Sequence, residues 1–75
     1  MEQGGASRPV ATLWQLEFNN ERVCCNIYRD GQSLQLRVES PSAVIVDEPF
    51  DLMPRMLSKT RALRASFIRR GWRDS

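Results

Sequence analysis

From Trp14 to Val38 the chain sets an apolar residue at every second position in three successive runs, and nothing else in it limits folding as tightly. Trp14, Leu16 and Phe18 alternate with Gln15 and Glu17; Val23, Cys25 and Ile27 alternate with Cys24 and Asn26; Leu34, Leu36 and Val38 alternate with Gln35 and Arg37. A period of two belongs to a strand with one buried face, whereas a helix would repeat at 3.6. Asn19-Asn20 divides the first two runs and Asp30-Gly31 the second two. Both dipeptides accept positive φ and so turn a hairpin.

The second turn predicts a register. A two-residue loop at Asp30-Gly31 sets Arg29 opposite Gln32, which pairs Ile27 with Leu34, Cys25 with Leu36 and Val23 with Val38. The same register places Arg22 across from Glu39, an ion pair worth ~0.2–1 kcal/mol, and Arg37 across from Cys24. A slip of one residue would turn every apolar side chain to the other face.

Ser40-Pro41-Ser42 ends the third run because proline brings no N–H to a ladder, and Ala43 to Val46 reads as a short fourth strand at an edge. Helix formers then run to Arg70, starting at an N-cap Asp51 or at Pro54 as first helical residue, which would leave Met53 outside. Met53, Met56, Leu57, Thr60, Leu63, Phe67 and Ile68 form one stripe on a helical wheel. Arg69-Arg70-Gly71-Trp72 predicts a Schellman stop, with Gly71 left-handed and Trp72 folded back on Phe67. The expected fold is α+β: an antiparallel three- to four-stranded β-meander followed by one C-terminal α-helix of about 17 residues packed on one sheet face. Residues 1–9 are small, polar and helix-breaking and are expected to form a disordered tail before a single domain over 10–75.

With 75 residues the core must be thin, since folding at this size removes only about 60% of the surface an unfolded chain exposes, and self-association is a usual remedy. No apolar run approaches the ~20 residues of a membrane span. The opening Met1-Glu2-Gln3-Gly4-Gly5 lacks the regions of a signal peptide, so a cytoplasmic location is expected. Histidine is absent, which removes Ser-His-Asp and Cys-His nucleophiles and imidazole zinc sites. No glycine-rich phosphate loop exists either; no catalytic, cofactor or metal residue is assigned, and an enzyme is not expected.

Several features still invite a role. Cys24 and Cys25 are adjacent in a strand and point to opposite faces, so Cys25 reads as core, and Cys24 as either a half-exposed strand residue or a reactive thiol. Asp47, Glu48 and Asp51 precede the helix; they suit its positive end, or a hard cation. Charge is the asymmetric property. The net charge of +2 is a near cancellation between −4 over residues 1–54 and +6 over residues 55–75. Arg55, Lys59 and Arg70, with Arg69 nearby, form a basic ridge opposite the apolar stripe, which is either a solvated face or a track for phosphates. Arg64 falls inside the apolar sector and needs a carboxylate, from the sheet or another subunit. On the uncovered sheet face Leu13, Cys24, Tyr28 and Ile45 join Gln15, Asn26, Gln35 and Arg37, a mixture able to stack bases, to join a second copy, or simply to meet water.

The order of strands followed by a helix resembles, in topology alone, that of a single-stranded-DNA-binding transcriptional coactivator architecture that works as a homodimer. None of that architecture's nucleic-acid-contacting positions is matched in this chain. The expected function is a small non-enzymatic interaction module that self-associates as a homodimer or takes a protein partner. The alternative is nucleic-acid binding through the basic helix or the Tyr28 face, with Arg55, Lys59, Arg69, Arg70, Tyr28 and Arg37 as the contact residues.

Overall fold

The computed structural model describes residues 8–75, so most of the expected tail lies outside the described residues. The chain forms β1 (Ala11–Phe18), β2 (Glu21–Asp30), β3 (Ser33–Ser40), β4 (Ala43–Phe50), α1 (Met53–Arg69) and β5 (Arg73–Asp74). All neighbours in the sheet are antiparallel, in the order β4-β3-β2-β1-β5. Helix α1 leaves one edge strand, crosses one face and returns the chain to the other edge. The fold is therefore the expected α+β meander, with four main strands and a short fifth that the sequence did not signal. Among the described residues, no helix is long and apolar enough to cross a membrane.

Local chemistry explains the turns. Asn19 and Asn20 both take positive φ, 51° and 68°, as a type I′ hairpin requires. At the next turn Asp30 pairs with Ser33, so the loop is Gly31-Gln32 rather than Asp30-Gly31. Gly31 has φ 65° and stands first in the loop, the position a type II′ turn reserves for glycine. This moves the register by two residues: Ile27 meets Leu36 and Cys25 meets Val38. Arg22 lies opposite Glu17 instead of Glu39, and Cys24 lies opposite Glu39 instead of Arg37. A shift of two preserves every side chain's face, so apolar alternation is equally satisfied by both registers.

The core consists of Leu16, Val23, Cys25, Ile27, Leu36 and Val38 from the sheet and Met56 from the helix, all at most 3% exposed. Thr60 is buried beside them and its hydroxyl donates to the Leu57 carbonyl at 2.8 Å, which satisfies it locally. Met53 and Ile68, expected in the stripe, are 47% and 39% exposed. The helix is turned so that Met56, Thr60, Leu63 and Phe67, spaced four, three and four residues apart, meet the sheet. Its start also differs from expectation: Leu52 is the N-cap without a side-chain hydrogen bond, and Met53 precedes Pro54 inside the helix.

The helix end follows the sequence closely. Trp72 N–H donates to the Phe67 carbonyl at 3.1 Å and Gly71 N–H to that of Ile68 at 3.0 Å, the two bonds of a Schellman stop. Trp72 packs edge-on against Phe67 at 5.3 Å, Phe18 lies 5.6 Å from Trp72, and Trp14 lies 6.1 Å from Phe67. Gly71 has φ 103°, and a Cβ there would stand 3.2 Å from Phe18 Cε1. Gly71→Ala is expected to cost about 1–2 kcal/mol through the left-handed backbone, plus the displacement of Phe18. Gly31→Ala shares the backbone cost but has nothing within 4 Å. Denaturant midpoints should therefore fall further for Gly71→Ala; equal midpoints would show that Phe18 yields freely.

Both sheet edges carry features that oppose strand addition. The β3–β4 pairing breaks between Val38 and Glu39, leaving Ile45 as an extra residue in β4. Further along β4 stand Glu48, half-buried on the helix side, and Pro49. The expected short strand is thus twice as long, and its proline is tolerated because it lies at an edge. At the opposite edge β5 has only two residues. Bulges, inward charges, proline and short edge strands are the devices by which sheets avoid pairing with other chains.

Candidate nucleic-acid interface

The 17 residues of α1 include Arg55, Lys59, Arg61, Arg64 and Arg69 and no acidic residue. Two of these side chains fasten the helix to the sheet. Lys59 Nζ stands 3.6 Å from Glu48 Oε2 over the β4 edge. On the other flank Arg64 Nη2 donates to both carboxylate oxygens of Asp74 at 2.7 Å, so the carboxylate Arg64 needs comes from β5 of the same chain. Lys59 accordingly leaves the expected ridge. Both pairs are substantially exposed, and each contributes at most about 1 kcal/mol to stability.

The remaining arginines face solvent. Arg55, Arg61 and Arg69 are exposed, as is Arg70 at the C-cap, and among the described residues none of the four has a carboxylate within salt-bridge distance. At about 100° per residue Ser58, Ala62 and Ala65 lie along the middle of the outward face, with Arg61 about 60° to one side and Arg55 about 60° to the other. Arg61 was absent from the expected ridge because the wheel included Met53 and Ile68 in the buried stripe. Centring that stripe on Met56, Thr60, Leu63 and Phe67 brings Arg61 outward.

The uncovered sheet face carries a polar network. Thr12 Oγ1 donates to Asn26 Oδ1 at 2.6 Å, Asn26 Nδ2 to Glu39 Oε2 at 2.8 Å, and the Tyr28 hydroxyl to the same Glu39 oxygen at 2.5 Å. Gln35 donates to Asp47, and Arg37 Nε reaches the same carboxylate oxygen at 3.3 Å. The Gln35 amide, with Arg37 beside it, holds the Asp47 carboxyl below the usual carboxylate range. The Arg37 guanidinium lies 4.8 Å from the centre of the Tyr28 ring. The structure thus brings Tyr28 and Arg37 together but engages each with the other. Leu13 and Ile45, expected on this face, are exposed residues at the irregularities of β1 and β4.

Hydrogen bonding to Glu39, reinforced by burial, pushes the Tyr28 hydroxyl above its ordinary pKa, because losing that proton would set a phenolate against a carboxylate. A group whose folded pKa is raised stabilises the fold below its unfolded value, near 10, and this contribution is lost as pH rises through the folded value. Tyr28 is the only tyrosine, so its phenolate absorbance can be followed directly. It should form at higher pH in the native than in the denatured protein, and Glu39→Gln should lower the native value. Coincident native and denatured curves would overturn the contact.

The other expected groups do not converge. Asp47 points to the open face, Glu48 toward Lys59, and Asp51 is exposed between strand and helix. Among the described residues no cluster of three metal-ligating side chains occurs. Cys24 is half-buried, while burial pushes the Cys25 thiol up to about 12 and keeps it in the unreactive form. Comparison of the chain with protein-family models, with curated proteins and with solved structures finds no match.

Proposed function

We propose that this protein is a non-enzymatic binding module whose ligand is the phosphate backbone of nucleic acid, held on the outward face of α1. One observation carries the reading: on a helix without a single acidic residue, the basic groups near carboxylates are used to tie the helix down, while Arg55, Arg61 and Arg69 face outward without partners among the described residues; Arg70, though exposed, lies on the Lys59 flank and leaves the expected ridge with it. Guanidinium groups match phosphate geometry, and a row of them on one face is the electrostatic footprint of a nucleic-acid binder.

Self-association is the second reading, favoured by Val44 and Ile45, which are 52% and 51% exposed on β4. Against it stand the bulge, Glu48 and Pro49 on that strand, and the polar network at the centre of the open sheet face, which leaves Val44, opposite Glu39, at the rim of that face. Fluorescence anisotropy with labelled oligonucleotides decides between them. Binding should weaken as salt rises, with a log–log slope of about −0.9 per duplex phosphate neutralised. Sedimentation of the free protein should give a mass near 8.7 kDa. No binding at low salt, with a mass near twice that value, would replace the first reading by the second.

A further inference from the structure

Nucleic acid has several forms, and resting on the reading above, we infer that the form taken is B-form DNA duplex, with α1 lying along the major groove. Single-stranded binders stack successive bases on free aromatic rings. Here Tyr28 lies under Arg37, while Trp14, Phe18, Phe67 and Trp72 stack on one another beside the helix end and Phe50 packs on the core. Phe18 keeps 40% exposure but is packed on Trp72, so among the described residues no row of free rings is left for successive bases.

The helix is shaped for a groove instead. Arg55 and Arg69 are 14 residues apart, about 21 Å along a rigid axis. Between them the centre line of the outward face bears only Ser58, Ala62 and Ala65, all exposed, and Arg61 and Arg55 stand on opposite sides of that line. A helix with small central side chains and arginines on both shoulders can enter a groove and reach the phosphates of both strands. The major groove of B-DNA is about 12 Å wide and admits a helix, whereas that of A-form RNA is too narrow. Lys59 and Arg64, held by Glu48 and Asp74, keep α1 seated on the sheet while its outward half is engaged.

The test compares four labelled probes at one low salt concentration: a DNA duplex of arbitrary sequence, one of its single strands, the same sequence as duplex RNA, and the DNA duplex with bulky glucosyl-hydroxymethyl groups on its cytosines. Those groups fill the major groove and leave the phosphates unchanged. The plain DNA duplex is expected to bind at least about tenfold more tightly than each of the other three, a margin of about 1.4 kcal/mol. Ala62→Leu, an exposed position on the centre line, should lose most of that margin while its thermal unfolding stays unchanged; Ala65→Leu is the second variant. Equal binding of single strand, duplex RNA or groove-filled duplex would overturn the groove inference and leave phosphate binding standing. Failure of all four probes to bind would remove both.

Discussion

Replacing Arg55, Arg61 and Arg69 together by glutamine is expected to reduce duplex affinity by on the order of a hundredfold at low salt and to flatten the salt dependence by about 2.7 in log–log slope. The number follows from counterion release, in which each phosphate neutralised contributes about 0.9 to the slope. Glutamine keeps helix propensity close to that of arginine, and none of the three side chains touches a carboxylate among the described residues. The fold should therefore be unaffected, with thermal unfolding close to that of the parent protein. Lys59→Gln supplies the contrast. Because Lys59 is held by Glu48 at 3.6 Å, its replacement should change the slope less than any one of the three outward arginines. If Lys59→Gln weakened binding as much as the triple variant, the assignment of the outward face would fail.

Leu36→Ala is expected to remove a large share of the stability of the domain. Leu36 is fully buried in β3, opposite Ile27 and within a core of seven buried apolar residues. Truncating a buried leucine costs about 2–5 kcal/mol, whereas a domain of this size has about 4–11 kcal/mol in total at 0.05–0.15 kcal/mol per residue. Each kcal/mol shifts the melting temperature of a small domain by about 4–8 °C, so circular dichroism melts should fall by tens of degrees. Ile45→Ser, at 51% exposure, should stay within about 0.5 kcal/mol of the parent. A Leu36→Ala protein melting within a few degrees of the parent would mean that the sheet–helix interface is not the main source of stability.

The two variants probe parts of the chain that differ in how openly the sequence displays them. The buried positions Leu16, Val23, Cys25, Ile27, Leu36 and Val38 are all visible as alternation, because strand periodicity needs only a few neighbouring residues. The turn at Asn19-Asn20 and the stop at Gly71-Trp72 are visible for the same reason: positive φ at two adjacent residues defines the first, and one glycine with two backbone bonds defines the second. The register of β2 on β3 is not visible in this way, since a shift of two residues keeps every apolar side chain inside, and only the choice between Gly31 as first or second loop residue separates the alternatives. Nor is β5, whose two residues are too few to show any period.

For the candidate interface the division is similar. A basic helix opposite an acidic sheet region can be read directly from the positions of the charges, and so can the Schellman stop that ends it. Which cations stay unpaired cannot, because that depends on which carboxylates the folded chain brings within about 4 Å. Glu48 reaches Lys59 because β4 forms the edge beneath that flank, Asp74 reaches Arg64 because the chain returns as β5, and Arg37 covers Tyr28 through cross-strand neighbours. Local pattern thus specified the faces, the Asn19-Asn20 turn and the helix stop of this protein from adjacent residues alone, but not the β2–β3 loop or the helix start. The rotation of α1, the release of Arg61 to its outward face and the engagement of Lys59 by Glu48 and of Tyr28 by Arg37 and Glu39 arose only when residues distant in the chain were packed together.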